Sequence, residues 1–220
     1  MQEAETSQAK AWYALAKTAR WQHKYTEAAD LALHGFEHGL VNPMSAQLAY
    51  YEANSAALAG DRSRAKTALA RAEMFAAALP GPATGTSPWS FPPERQAIFA
   101  LSVALRTGDA DGALRQAVAA DQGWATGDPH IPGTWAQVRV GAAIAHLLKG
   151  SLDGAVEQVT PMLAMPPDFR IATVTGWLAD LDQHLSGHRY ARSRTASSLR
   201  QQIRDFTANA LPRQASREAG

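Results

Sequence analysis

Two runs of potential metal ligands raise the question of chemistry first. Asp30, His34 and His38 follow one another at helical-turn spacing, and Asp180, His184 and His188 repeat that spacing. Imidazoles and a carboxylate so spaced can reach one divalent ion from a single helix face, but neither run has the His-Glu-x-x-His order that sets a general base beside a zinc ion. The first trio falls on a face that reads as solvated, and Gly187 is expected to end the helix before His188. No metal site is assigned. His130 and His146 are isolated, and His146 takes a core-facing position that suits a structural histidine. The chain has no cysteine, which removes thiolate nucleophiles and cysteine zinc sites. Glycine-rich phosphate loops and the G-x-S-x-G elbow are also absent. No catalytic residue is assigned, no cofactor is expected, and the chain is not expected to be an enzyme.

Binding chemistry is better represented. Tyr13 and Lys17, Tyr50 and Asn54, and Arg95 and Phe99 each stand four residues apart, so each pair shares a helix face, with Tyr51 beside Tyr50. Aromatic rings supply contact area, Lys17 and Arg95 favour an anionic group, and the Asn54 amide can donate to and accept from a peptide backbone. These seven residues are the expected ligand-binding set.

The elements that must carry them read as helices. Trp12, Leu15, Ala16 and Ala19 recur at the spacing of one buried face, as do Ala28, Leu31 and Gly35. Gly60-Asp61 joins a glycine suited to ending a helix in the left-handed conformation to an aspartate suited to starting the next. Gly108-Asp109 and Gly150-Ser151 repeat that device, and His23 takes the corresponding place in the first hairpin. The four turns lie 37, 48 and 42 residues apart, which makes an irregular array with insertions. Flanking these turns, Ala49, Ala53, Ala56, Ala65, Leu69, Ala72, Ala113, Ala117, Ala155 and Val159 are expected inside. Leu79 to Pro93 and Trp124 to Pro132 are too rich in Pro and Gly for helix, and Trp89 and Phe91 are expected to fold back and plug a gap between repeats. Two further helices, through Trp177, Leu178, Leu181 and Leu185 and through Leu199, Ile203 and Phe206, are expected to cap the array.

The first hairpin resembles a tetratricopeptide repeat (TPR), a family whose ~34-residue unit has Trp and Leu-Gly/Ala in its first helix and Tyr-x-Glu-Ala opening its second. Trp12, Leu15-Ala16 and Tyr25-x-Glu27-Ala28 carry the resemblance. It implies an all-α, right-handed solenoid of about ten helices in antiparallel hairpins, with no sheet. The expected hairpins span roughly 4–40, 44–78, 94–123 and 133–164, with capping helices over 168–209, in one domain over 1–220. It also implies that Tyr13, Lys17, Tyr50, Tyr51, Asn54, Arg95 and Phe99 line a concave groove. The carboxylate clamp of chaperone-binding members is not reproduced, because Tyr13, Lys17 and Tyr51 stand where that clamp has Lys, Asn and Asn.

Farther along, Ser87-Pro88-Trp89, the run from Gly108 to Leu114, Arg139 to Gly150 and Leu199 to Phe206 look like the C-terminal sensor region of Cro-repressor-type (XRE) helix-turn-helix regulators from high-GC bacteria. Arg outnumbers Lys sixteen to five, in keeping with such a genome. The implied function is a sensor domain of a transcriptional regulatory system, without a DNA-binding domain in this chain. An enzyme acting on small molecules and an assembly adaptor are the alternatives. A formal charge of +1 gives no global pull toward nucleic acid or an anionic membrane. The expected partners are therefore a peptide, a small-molecule effector or another protein, a second copy of the chain included. The polar opening and the lack of a long apolar run lead to a cytoplasmic expectation.

Overall fold

The computed structural model of the protein describes residues 2–38, 43–79, 91–126 and 130–208. Trp89, Ser87-Pro88 and the tail from Pro212 lie outside them. Among the described residues there are ten α-helices and no strand: α1 (Gln2–Trp21), α2 (Tyr25–Glu37), α3 (Pro43–Leu58), α4 (Arg62–Ala78), α5 (Pro93–Thr107), α6 (Ala110–Thr126), α7 (Pro132–Leu148), α8 (Leu152–Leu163), α9 (Ala172–Leu185) and α10 (Arg194–Ala208). None of these helices is long and apolar enough to cross a membrane. They group into two compact units, residues 1–129 and 130–220.

The turns explain why the helices pair. Backbone φ is positive at His23, Gly60, Gly108 and Gly150, the four positions phased from the sequence. Each closes the preceding helix in the same way, because the next residue's N–H reaches back five residues: Lys24 to Ala19 O, Asp61 to Ala56 O, Asp109 to Ala104 O and Ser151 to His146 O, at 2.8–3.0 Å. After the three glycines a short polar side chain then caps the next helix. Asp61 Oδ1 accepts from Arg64 N at 2.9 Å, Asp109 Oδ1 from Gly112 N at 2.7 Å and Ser151 Oγ from Gly154 N at 3.2 Å. The first turn departs from this pattern, having a non-glycine residue in the left-handed conformation and no side-chain cap from Lys24.

Unit 1 is built around α3, which touches α1, α2, α4 and α5. All fourteen residues from Met44 to Ala57 are buried. Alanine makes this possible, since Ala29, Ala53, Ala56, Ala57, Ala65 and Ala68 pack together and let helix backbones approach closely. A second cluster joins Ala16, Ala32, Leu48 and Tyr51 to half-buried Trp12, Tyr13 and Phe99. Trp12 lies against Gly35, where any Cβ would collide with the Trp12 side chain. Phe91, 1% exposed, does fold back, into a cluster with Tyr50, Ala46, Ala49, Ala72 and Ala100. One expectation needs correction: Leu15 is 51% exposed. At about 100° per residue it falls at the edge of the stripe that Ala9, Trp12, Ala16 and Ala19 define.

A buried carboxylate also ties α3 to α4. Glu52 accepts from Arg64 Nε at 3.0 Å and from Arg71 Nη2, while Arg64 Nη1 donates to Asp30 on α2 at 2.6 Å.

Unit 2 follows plainer rules. Val174, Leu178, Leu181 and Leu185 make the buried stripe of α9, and Ala196, Leu199, Ile203 and Phe206 that of α10. Helix α9 lies on α7, and α10 packs on α8 and α9. The link between them is fastened by Tyr190, whose hydroxyl donates to Leu147 O at 2.8 Å, while Arg189 rests against Gly150. Arg170 covers the Phe206 ring with its guanidinium 4.4 Å from the centroid.

Candidate functional site

A cavity of about 420 Å³ lies in unit 1. Helix α1 contributes Tyr13, Lys17, Arg20 and Trp21, the following turn His23, and the start of α2 Tyr25. The facing wall is Tyr51 and Leu58 of α3 with Phe99 of α5. Among the described residues no acidic side chain lines it. The reason lies in α1's helical spacing: Tyr13, Lys17, Arg20 and Trp21 recur on the face beside the one that carries Ala9, Ala16 and Ala19 into the core.

The wall is an aromatic network with cations set on it. Tyr13 meets Tyr51 edge-on with centroids 5.2 Å apart, and Tyr51 lies 6.0 Å from Phe99. Lys17 Nζ sits 5.1 Å from the Trp21 ring centre, and the Arg20 guanidinium 5.2 Å from that of Tyr51. His23 Nδ1 and the Tyr25 hydroxyl share a hydrogen bond of 2.7 Å. Burial pushes the Tyr13 phenol above the usual tyrosine range, while the charges of Arg95 and Arg20 pull it part-way back. Tyr51 is likewise raised by burial, and Arg20 opposes this through its charge and a hydrogen bond. Positive charge is thus concentrated where the phenols meet.

The seven residues expected from the sequence divide. Tyr13, Lys17, Tyr51 and Phe99 share the cavity wall, and Arg95 acts on Tyr13 through its charge. Tyr50 and Asn54 are buried, at 3% and 2% exposure, and are not among the residues lining the cavity. Tyr50 lies instead against Phe91, with centroids 5.2 Å apart, because it projects from the side of α3 that meets α4 and α5 rather than the side that meets α1. His23, Tyr25 and Leu58 were not singled out for binding. Their signal was present for His23 alone, a bulky residue where the other turns have glycine, since left-handed backbone costs an L-residue about 1–2 kcal/mol.

The first ligand-like run is otherwise engaged. Asp30 pairs with Arg64, His34 lies edge-on to Trp12 at 4.4 Å, and His38 Nδ1 donates to His34 O at 2.8 Å. In the second run His188 falls beyond the end of α9. His146 is half-buried against Gly154, and exposed His130 stacks on Trp135. No protein-family model and no curated protein matches the chain.

Proposed function

We propose that unit 1 is a binding module whose cavity takes the anionic group of a peptide or small effector, without turning it over. The observation that carries this reading is a space of about 420 Å³ walled by aromatic rings and bordered by Lys17 and Arg20, with no acidic residue among the described residues that line it. That volume lies in the range of ligand-binding clefts. An exposed tryptophan on the border of such a space is also apt for capture: Trp21 is 74% exposed. We read the helical hairpins as TPR-like repeats of a right-handed solenoid and the whole as the sensor region of an XRE-type bacterial regulatory system. Support for this comes from the shared closure of the four turns and from the sequence motifs, with a bound effector biasing a protein partner.

The test is a thermal-shift screen of the full chain against small organic acids and against peptides with free carboxyl termini, followed by calorimetry. A ligand whose affinity falls about tenfold or more in both Lys17→Ala and Arg20→Ala, and is unchanged in His38→Ala, supports the reading. Ligands indifferent to Lys17 and Arg20 contradict it.

A further inference from the structure

We infer that the cavity selects a flat aromatic carboxylate, a ligand that joins a one- or two-ring π-system to a single acid group. This rests on the binding reading above and narrows its ligand class. Two features of the wall combine. First, its cations stand on ring faces: Lys17 on Trp21 and Arg20 on Tyr51. A carboxylate entering beside those rings gains charge-assisted hydrogen bonds, while the ring attached to it remains within reach of the same aromatic surfaces. Second, the rings already present meet edge-on or tilted, Tyr13 with Tyr51 and Tyr51 with Phe99. That is the packing a further aromatic ring extends at least cost, since edge-to-face contacts set positive ring edges on negative ring faces.

The same chemistry exists as a free aromatic acid and as the C-terminal aromatic residue of a peptide, and the experiment separates the two. Calorimetry on the full chain would use indole-3-acetate, its neutral alcohol indole-3-ethanol, cyclohexylacetate, and a short peptide ending in Trp with its carboxyl terminus free or amidated. We expect indole-3-acetate to bind at least about tenfold more tightly than the alcohol, the loss that follows from removing a charge-assisted hydrogen bond. It should also bind more tightly than cyclohexylacetate, which keeps the charge and loses the ring. Trp21→Ala, at an exposed position, should weaken indole-3-acetate while leaving the melting temperature unchanged. Equal binding of acid and alcohol, or of indole and cyclohexyl acids, overturns the inference. Preference for the peptide with a free terminus over every free acid, still dependent on Lys17 and Arg20, overturns it as well but leaves the binding reading standing. Binding that ignores Lys17 and Arg20 removes both.

Discussion

Helices α3 and α10 bury their residues by opposite rules. Helix α10 hides Ala196, Leu199, Ile203 and Phe206 and exposes most of the remainder to water, so its apolar stripe accounts for its packing. In α3 every residue from Met44 to Ala57 is buried, including Ser45, Gln47, Glu52, Asn54 and Ser55. A helix in contact with four others has no solvent face to mark with polar residues. Polarity on α3 must therefore be answered from within the protein, or else it costs stability. Glu52 is answered by Arg64 and Arg71, whereas Gln47, with neither amide atom hydrogen-bonded, and Asn54 Oδ1 are not. Helices α9 and α10 are thus held by apolar burial, while unit 1 keeps polar groups inside α3.

The largest effect should come on the plain side of that comparison. Phe206→Ala removes a buried ring from α10 and the surface that Arg170 covers, and should destabilise unit 2 by about 3–5 kcal/mol. Hydrogen exchange resolved to α7–α10 would read this, and retained protection would mean that α10 is not held by its stripe. Next, Glu52→Ala leaves two arginines facing each other without their buried partner. Because Arg64 and Arg71 are 25% and 33% exposed, the loss should be about 2–3 kcal/mol rather than the full cost of breaking a buried pair. Exchange in α3 and α4 would show it, and unchanged rates there would reduce the network to ordinary surface charge.

Alkaline pH should bear on unit 1 in the same sense. Tyr13, Tyr50 and Tyr51 have phenols raised by burial, so the folded state keeps protons that the unfolded chain gives up near pH 10. Their contribution is fully present below that pH and is lost as pH rises through the higher values of the folded state. Protection of α1–α5 should therefore decline between about pH 10 and pH 12, and a flat profile would contradict burial of these rings. The smallest change is expected to be a gain. Gln47→Met replaces an unpartnered, fully buried amide with an apolar side chain of similar length, and should stabilise unit 1 by about 1 kcal/mol. A comparable loss would show that the Gln47 amide is satisfied after all.

Much of the helical layout was legible because it is written locally. Glycine followed by aspartate or serine marks three turns, and alanine spacing marks the faces that meet. Phe91 was legible as a plug, since a phenylalanine amid Pro and Gly has few other uses. Tyr50 and Asn54 were harder to place. Their spacing puts them on one face, but which neighbour that face meets depends on α4 and α5 closing over α3. The cavity was less legible still, because Tyr13 and Lys17 come from α1, Tyr51 and Leu58 from α3 and Phe99 from α5, and no periodicity within one helix brings the three together. Leu15 shows the same limit at small scale, where one step around the helix separates core from solvent.

The most direct test of the binding account is hydrogen exchange on the full chain with and without saturating indole-3-acetate, repeated on Arg20→Ala. The account predicts added protection around residues 13–25, 51–58 and 99, none in α9 and α10, and loss of the effect in the variant. Protection confined to α7–α10, or an unchanged response in Arg20→Ala, would contradict it.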